Sequence, residues 1–458
     1  MKHQHRVTFG SLGVLFATVG SAVGLGNIWR FPYMVAQNGG AAFVFIYILC
    51  VLLFGLPVMT AEFFIGRHAR RNVAGAFHLL APHSLWNLLG YASVFVAVAI
   101  LGFYIVVSGW TLEYLYQATS NSFEGKNAEM LKADFDTFTA SRLRPIFWAF
   151  LVLSLAHLII MSGVKRGIER ATKIMMPMLF VTLLVLCVRS LTLKGGVEGL
   201  AFLFRPDFGK IDPSVILSAM GQAFFSLSIG MGALITYSSY FSKQTNLQMT
   251  ALQVTVIDSF VALLAAVMIF PAVFSFGINL TEEGPGLVFV TLPNIFQSLP
   301  GSMFWSMLFY ILLALAAITS VISLHEVATA YVHEEFHVSR RRAAFYISSI
   351  VLVLSIFSSL SFGVMREYTI FGMTFFSFLD FITAKILMPL GGMFICLFVG
   401  WRIDRKILKA ELTNEGTVPF YFFNFYSFFL RYLAPVGIAL IFLNELGLYR
   451  RLQTLFSG

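Results

Sequence analysis

Residues 20–32 read Gly-Ser-Ala-Val-Gly-Leu-Gly-Asn-Ile-Trp-Arg-Phe-Pro, inside an apolar stretch long enough to cross a bilayer. Glycine and proline both weaken a helix interior. Gly20, Gly24, Gly26 and Pro32 therefore argue against one continuous helix. In lipid, a broken helix is tolerated only where its freed backbone groups line a cavity or meet protein partners. Freed carbonyls beside the Asn27 amide are oxygen ligands, which hard cations such as Na⁺ require. The segment is expected to break in mid-membrane in order to bind something.

The rest of the chain supports a membrane setting. It has 458 residues, 58% hydrophobic and 12% charged, with a mean hydropathy of +0.82. That composition excludes an ordinary soluble protein and fits a single polytopic helical domain over residues 1–458. The net charge of +9 does not point to nucleic acid, because the basic residues sit in short loops between apolar segments. Eleven segments are each long enough to span: 11–35, 41–65, 89–117, 145–163, 170–190, 214–240, 250–276, 302–333, 343–361, 374–400 and 422–447. Basic loops around Arg67–Arg71, Lys165-Arg166, Arg340–Arg342 and Arg402–Lys406 are expected to be cytoplasmic. The N-terminus is then cytoplasmic and the C-terminus external, an assignment that Arg450 and Arg451 oppose. The first segment is read as retained, since no small-residue cleavage site follows it. Cys50, Cys187 and Cys396 lie in apolar runs and read as packing residues; no disulfide or metal spacing is expected. Residues 118–144 are expected outside as a polar loop, and 279–298 as an external re-entrant or lid segment.

A second interruption lies in the sixth segment, where Gly221, Ser226, Ser228, Gly230 and Gly232 fall at mid-membrane depth. Two interrupted spans five apart point to an inverted-repeat transporter with its site between the repeats. Asp258 lies in an otherwise apolar span, where an ionised carboxylate costs several kcal/mol without a cation. Asn27, Thr319 and Ser320 bring further oxygens to that depth; for the last two, ordinary bonding back to a carbonyl stays open. Arg30 and Asp380 are also embedded in apolar segments and each needs a partner.

Several motifs in order resemble one family. They are Ser21–Tyr33, Asn38-Gly39-Gly40, Glu62–Arg67, Tyr104 with Gly109-Trp110, Phe225–Ser228, Glu283–Leu287, Thr319-Ser320 and Asp380. Together they resemble the neurotransmitter:sodium symporters, all-α membrane proteins of the LeuT fold, in the bacterial branch with 11 spans. The resemblance implies a five-plus-five inverted repeat, about 11–190 and 214–400, with an extra helix at about 422–447. It implies a bacterial inner-membrane protein that imports amino acids with Na⁺ by alternating access and is not an enzyme.

The resemblance also implies roles for individual residues. One Na⁺ is expected at Ala22, Asn27, Ser226 and Asp258, with the substrate carboxylate. A second is expected at Gly20, Val23, Ala316, Thr319 and Ser320. The substrate carboxylate would meet the amides of Leu25 and Gly26 and the Tyr104 hydroxyl. Its ammonium would meet carbonyls of Ala22, Phe225 and Ser228. Gly24 stands where monoamine carriers have Asp, which favours an α-amino acid. Ile100, Phe225, Met231 and Leu324, with Ser228 and Ser320, would hold a hydrophobic side chain, aromatic ones included. Asp258 and Ala262 replace the Asn and Ser of chloride-dependent relatives, so no chloride is expected. Arg30 and Asp380 would form the outer gate over Phe225 and Tyr104, with Gln222 beside Arg30. Tyr240 and Glu334 match inner gate positions; His5 or Arg6 and Thr8 or Phe9 stand where the family has Arg and Trp. Lys385 is a possible competitor for Asp380. Carriage of another small zwitterion, or sensing without net transport, stays open, and the oligomeric state is not specified.

Overall fold

The computed structural model describes residues 7–277 and 286–445. Among these the chain is helical, with a single isolated β-bridge between Ile370 and Met373. Nine continuous helices among the described residues are long and apolar enough to cross a membrane. They are the second span (Ala41–Ala69), third (Asn87–Thr119), fourth (Arg144–Met161), fifth (Val164–Leu191), seventh (Leu247–Phe276), eighth (Ser302–Glu335), ninth (Arg340–Leu360), tenth (Phe375–Arg402) and eleventh (Phe423–Asn444). The first span is the pair Ser11–Ala22 and Gly26–Gln37, bent by 54°. The sixth is the pair Pro213–Ser226 and Ala233–Ser238. Several helices run past the apolar segments read from sequence, because hydropathy marks what suits lipid and not where backbone bonding stops.

Spans five apart in order pack on one another. The first half of the first span meets the second half of the sixth, the second meets the seventh, the third the eighth and the fourth the ninth. The third and eighth run along each other as a central pair.

The loop at 118–144 is not plain coil. It carries a helix, Ala128–Ala140, started by the Asn127 side chain, which accepts from the Met130 N–H at 2.9 Å. Its mixed polarity hid it, since it is a surface helix with few apolar positions. In the 279–298 segment, Leu287–Gln297 is helical, while residues 279–285 lie outside the described residues. Phe289 from that helix stacks on Phe135 of the loop helix at 5.6 Å. It also meets Tyr114 and Trp110 of the third span at 4.8 and 5.8 Å. Aromatic pairs at these distances add to area burial, so these two helices are seated on the third span as one cap.

Candidate functional site

Both interrupted spans break at the same depth and are tied together there. In the first, Val23 leaves the helix in an extended conformation and helix resumes at Gly26. In the sixth, residues 227–232 alternate handedness: Ser228, Gly230 and Gly232 have φ of +56°, +86° and +77°. Glycine adopts this region without a Cβ penalty, so two of the three positions suit their residue. Ser228, the exception, donates its hydroxyl to the Ser21 carbonyl at 3.0 Å. One break thus supplies an acceptor to the other. The second span holds the sixth break from behind: the Gly230 N–H donates to Glu62 Oε1 at 2.8 Å.

A polar cluster closes the junction. Asn27 Nδ2 donates to Asp258 Oδ1 at 2.8 Å, to the Asp258 carbonyl at 3.2 Å and to Ser226 Oγ at 3.0 Å. Ser226 donates to Asp258 Oδ2 at 2.6 Å, and Tyr47 reaches Ser226 Oγ at 3.4 Å. Asp258 is fully buried, and the side chains bonded to it are neutral. An ionised carboxylate in that position needs a cation, and the oxygens around it suit Na⁺. Asn27 Oδ1 instead accepts from the Gly24 N–H at 3.0 Å. Binding Na⁺ through that oxygen requires the amide to turn over, which exchanges donor for acceptor in the cluster.

The second expected ion site gathers where the first span passes the eighth. A Cβ on Gly20 would lie 3.5 Å from Thr319 Cβ. Thr319 donates to the carbonyls of Leu315 and Ala316 at 3.1 and 3.0 Å, and Ser320 to that of Ala316 at 3.3 Å. These are back-bonds within the helix. They use the hydroxyl hydrogens and leave oxygen lone pairs available to a cation. Val23 is fully buried at the end of the first half-helix.

All ten residues expected around the substrate line one cavity together with Ser226, which the expected ion site shares with it, and Gly24 and Asn27 are also in its wall. It offers about 60 Å³ to the centre of a water molecule, several times what one water requires. The Leu25 N–H donates to the Tyr104 hydroxyl at 3.3 Å. A Cβ on Gly24 would stand 2.6 Å from Ser320 Oγ and 3.2 Å from the Tyr104 hydroxyl. The position that carries an acid in monoamine carriers therefore has no room for a side chain as packed. Sequence reasoning missed the tenth span here, which contributes Thr383, Ala384 and Met388. Alanine and methionine in an apolar helix give no polar signal, and only their four-residue spacing from Asp380 marks the face.

At one end of the cavity, the Arg30 guanidinium lies 4.2 Å from the centre of the Phe225 ring, a cation–π contact. Asp380 and Lys385 are on the half-buried wall of the tenth span nearby. Gln222 is fully buried and neither amide atom forms a hydrogen bond.

At the opposite end, Phe9 enters the first span packed beside the sixth. Its ring packs edge-on against Tyr237 and Tyr240 at 5.8 and 5.6 Å, and its N–H donates to the Tyr240 carbonyl at 3.0 Å. His5 and Arg6 lie outside the described residues. The Tyr240 hydroxyl donates to Glu326 Oε1 at 2.6 Å, and Arg340 forks onto both oxygens of Glu326. Glu334 accepts from the Asn72 N–H at 2.7 Å, which fastens the short helix Val73–Leu80. Glu326 and Arg340 were not singled out from sequence, because Arg340 reads as one more basic loop residue. Beside them, the helix Arg405–Leu412 is strapped to the second span through Glu411, which binds Arg67 and His68 at 2.6 and 2.9 Å. Burial alone would raise the Glu411 carboxyl, but the His68 bond and the Arg67 charge outweigh it and hold it below its usual value. No group of three His, Cys, Asp or Glu side chains placed to hold a metal ion occurs among the described residues.

The sequence model of the sodium:neurotransmitter symporter family matches residues 6–130 and 140–455. The chain is 37% identical to an uncharacterised sodium-dependent transporter of Bacillus subtilis, YhdH, over 98% of this chain and 99% of that one. It is 34% identical to a sodium-dependent transporter of Haemophilus influenzae, over 97% and 99% of the two chains. The crystal structure of MhsT in complex with L-phenylalanine superposes with a TM-score of 0.87 at 44% identity, covering 96% of this chain and 100% of that one. MhsT has the LeuT fold, and the present chain shares it.

Proposed function

This chain belongs to the sodium:neurotransmitter symporter family, and on that premise we propose that it is a bacterial inner-membrane symporter importing hydrophobic amino acids, aromatic ones included, with Na⁺. The observation that carries the reading is Asp258, a fully buried carboxylate whose bonded side chains are neutral, beside a cavity bounded by two broken helices. Such a group needs a cation, and the cavity next to it fits a small solute.

In this reading Asp258, Asn27, Ser226 and the Ala22 carbonyl hold one Na⁺. The substrate carboxylate completes that shell and meets the Leu25 and Gly26 amides and the Tyr104 hydroxyl. Gly20, Val23, Ala316, Thr319 and Ser320 hold a second Na⁺. Because the first ion and the substrate touch, each raises the affinity of the other by the same factor. The crowding at Gly24 supports an α-amino acid over an amine that needs an acid there. Met231, which adapts to several shapes, and the phenylalanine bound by MhsT support a large apolar side chain. Asp258 supplies a fixed negative charge, and the buried Ala262 one turn on offers no hydroxyl, which supports chloride independence. Arg30 and Phe225 close the cavity from outside, and Phe9, Tyr240 and Glu326 from inside.

Purified protein in liposomes should accumulate labelled L-phenylalanine against its gradient when Na⁺ is high outside, and not when K⁺ replaces it. Binding without accumulation would mean a sensor. Inhibition by betaines or γ-amino acids, but not by hydrophobic α-amino acids, would overturn the substrate assignment.

A further inference from the structure

The tenth span is π-helical over Phe381–Leu387, where it passes the cavity. Such wide turns are uncommon and recur at functional sites. Thr383, Ala384 and Met388 from this stretch and its end line the cavity. A second, smaller cavity lies behind it and offers about 20 Å³ to the centre of a water molecule. Its far wall is Ile438 and Ile441 of the eleventh span, with Gly221, Phe224 and Ile229 from the sixth, Pro389 from the tenth and Arg30 at its edge. Three residues line both cavities: Phe225, Ala384 and Met388. Phe225 is in contact with Arg30, so the side wall between the two spaces falls to Ala384 and Met388.

We propose that Met388 is a partition between the substrate cavity and this rear cavity, and that it determines how bulky a substrate side chain is accepted. The inference rests on the amino-acid reading above. Alanine is too short to separate two spaces alone, so the Met388 side chain forms the barrier. Its backbone is fixed: Gly230, in its left-handed conformation, packs against the Met388 carbonyl, and a Cβ on Gly391 would stand 2.8 Å from the Gly230 carbonyl. The side chain is an unbranched thioether that swings more easily than a branched residue. A small side chain leaves the partition standing. A bicyclic aromatic one displaces it and enters the rear space, whose aliphatic wall from the eleventh span accepts a ring edge. The sixth break and the tenth span together then read substrate size, Met231 from one wall and Met388 from the other.

The test is competition of unlabelled Trp and Leu against labelled L-phenylalanine in Na⁺. Met388→Ala joins the two spaces and should raise the preference for Trp over Leu about tenfold, within the range that apolar pocket changes give. Adding Ile438→Phe, which fills the rear space from its far wall, should return the ratio toward wild type. An unchanged ratio in Met388→Ala, or a gain that survives Ile438→Phe, overturns the partition. Should Met388→Ala not yield folded protein, Ala384→Leu narrows both spaces and should lower the Trp preference; an unchanged ratio there is equally fatal. Wild-type protein that binds no amino acid in Na⁺ would instead sink the proposed function, which keeps the two failures apart.

Discussion

The polar and apolar walls of the cavity are built on different principles. The polar wall, Asn27 and Ser226, is held by short hydrogen bonds to each other and to Asp258 behind it, at 2.6–3.0 Å. The apolar wall of Ile100, Met231, Leu324 and Met388 has no directional bonds, only contact. Directional bonds fix a geometry within tenths of an ångström, and dropping one member leaves the others buried and unsatisfied. Contact packing yields by small amounts and tolerates exchange of similar volumes. The first wall is suited to deciding whether anything binds, and the second to deciding what.

That contrast can be broken most directly at Asp258. Asp258→Ala should severely weaken the Na⁺ dependence of amino-acid binding, a coupling of about 5–150-fold, measured as L-phenylalanine affinity with and without Na⁺. Wild-type Na⁺ dependence in that variant would remove Asp258 from the ion site. The next largest effect is expected at Gly24, between the two walls. Gly24→Ala forces a Cβ toward Ser320 and Tyr104. Overpacking of that kind costs about 1–3 kcal/mol, read as about 5–150-fold weaker L-phenylalanine binding. Unaltered affinity would show that the wall gives way and would weaken the case against amines. At Met231 a gentler change is expected. Met231→Phe should shift preference from aromatic toward smaller aliphatic amino acids by about 1–3 kcal/mol, seen as a changed Trp-to-Leu inhibition ratio. The smallest effect is expected outside both walls: replacing chloride with gluconate should leave wild-type uptake nearly unchanged. Asp258→Asn with Ala262→Ser should then create a chloride requirement, and a large wild-type loss in gluconate would refute the fixed-charge argument.

The same contrast explains what the sequence made legible. Polar residues at membrane depth are costly, so Asn27, Asp258 and the glycines around both breaks stand out from their neighbours. The two interrupted spans and the membrane class followed from them, and the family match and the LeuT-fold neighbour agree. Ala384 and Met388 do not stand out, because the residues that suit a cavity wall also suit lipid. Phe9 was one of two alternatives until its ring was seen against Tyr240. The helix Ala128–Ala140 was invisible to hydropathy because water, not lipid, faces most of it. Gln222, expected beside Arg30, illustrates the reverse case: a conspicuous residue whose amide forms no bond in this arrangement.

The closure at Glu326 has a consequence for turnover. The Tyr240 hydroxyl crosses from the sixth span to Glu326 on the eighth, while Arg340 on the ninth grips both oxygens of the same carboxylate. If the sixth span swings away, Glu326 gives up a phenol and keeps its guanidinium. No naked ion is stranded in the low-dielectric interior at any point of the swing. Parting removes the charge-assisted hydrogen bond to Glu326, worth about 1.5–3 kcal/mol, and the released hydroxyl recovers part of that from incoming water.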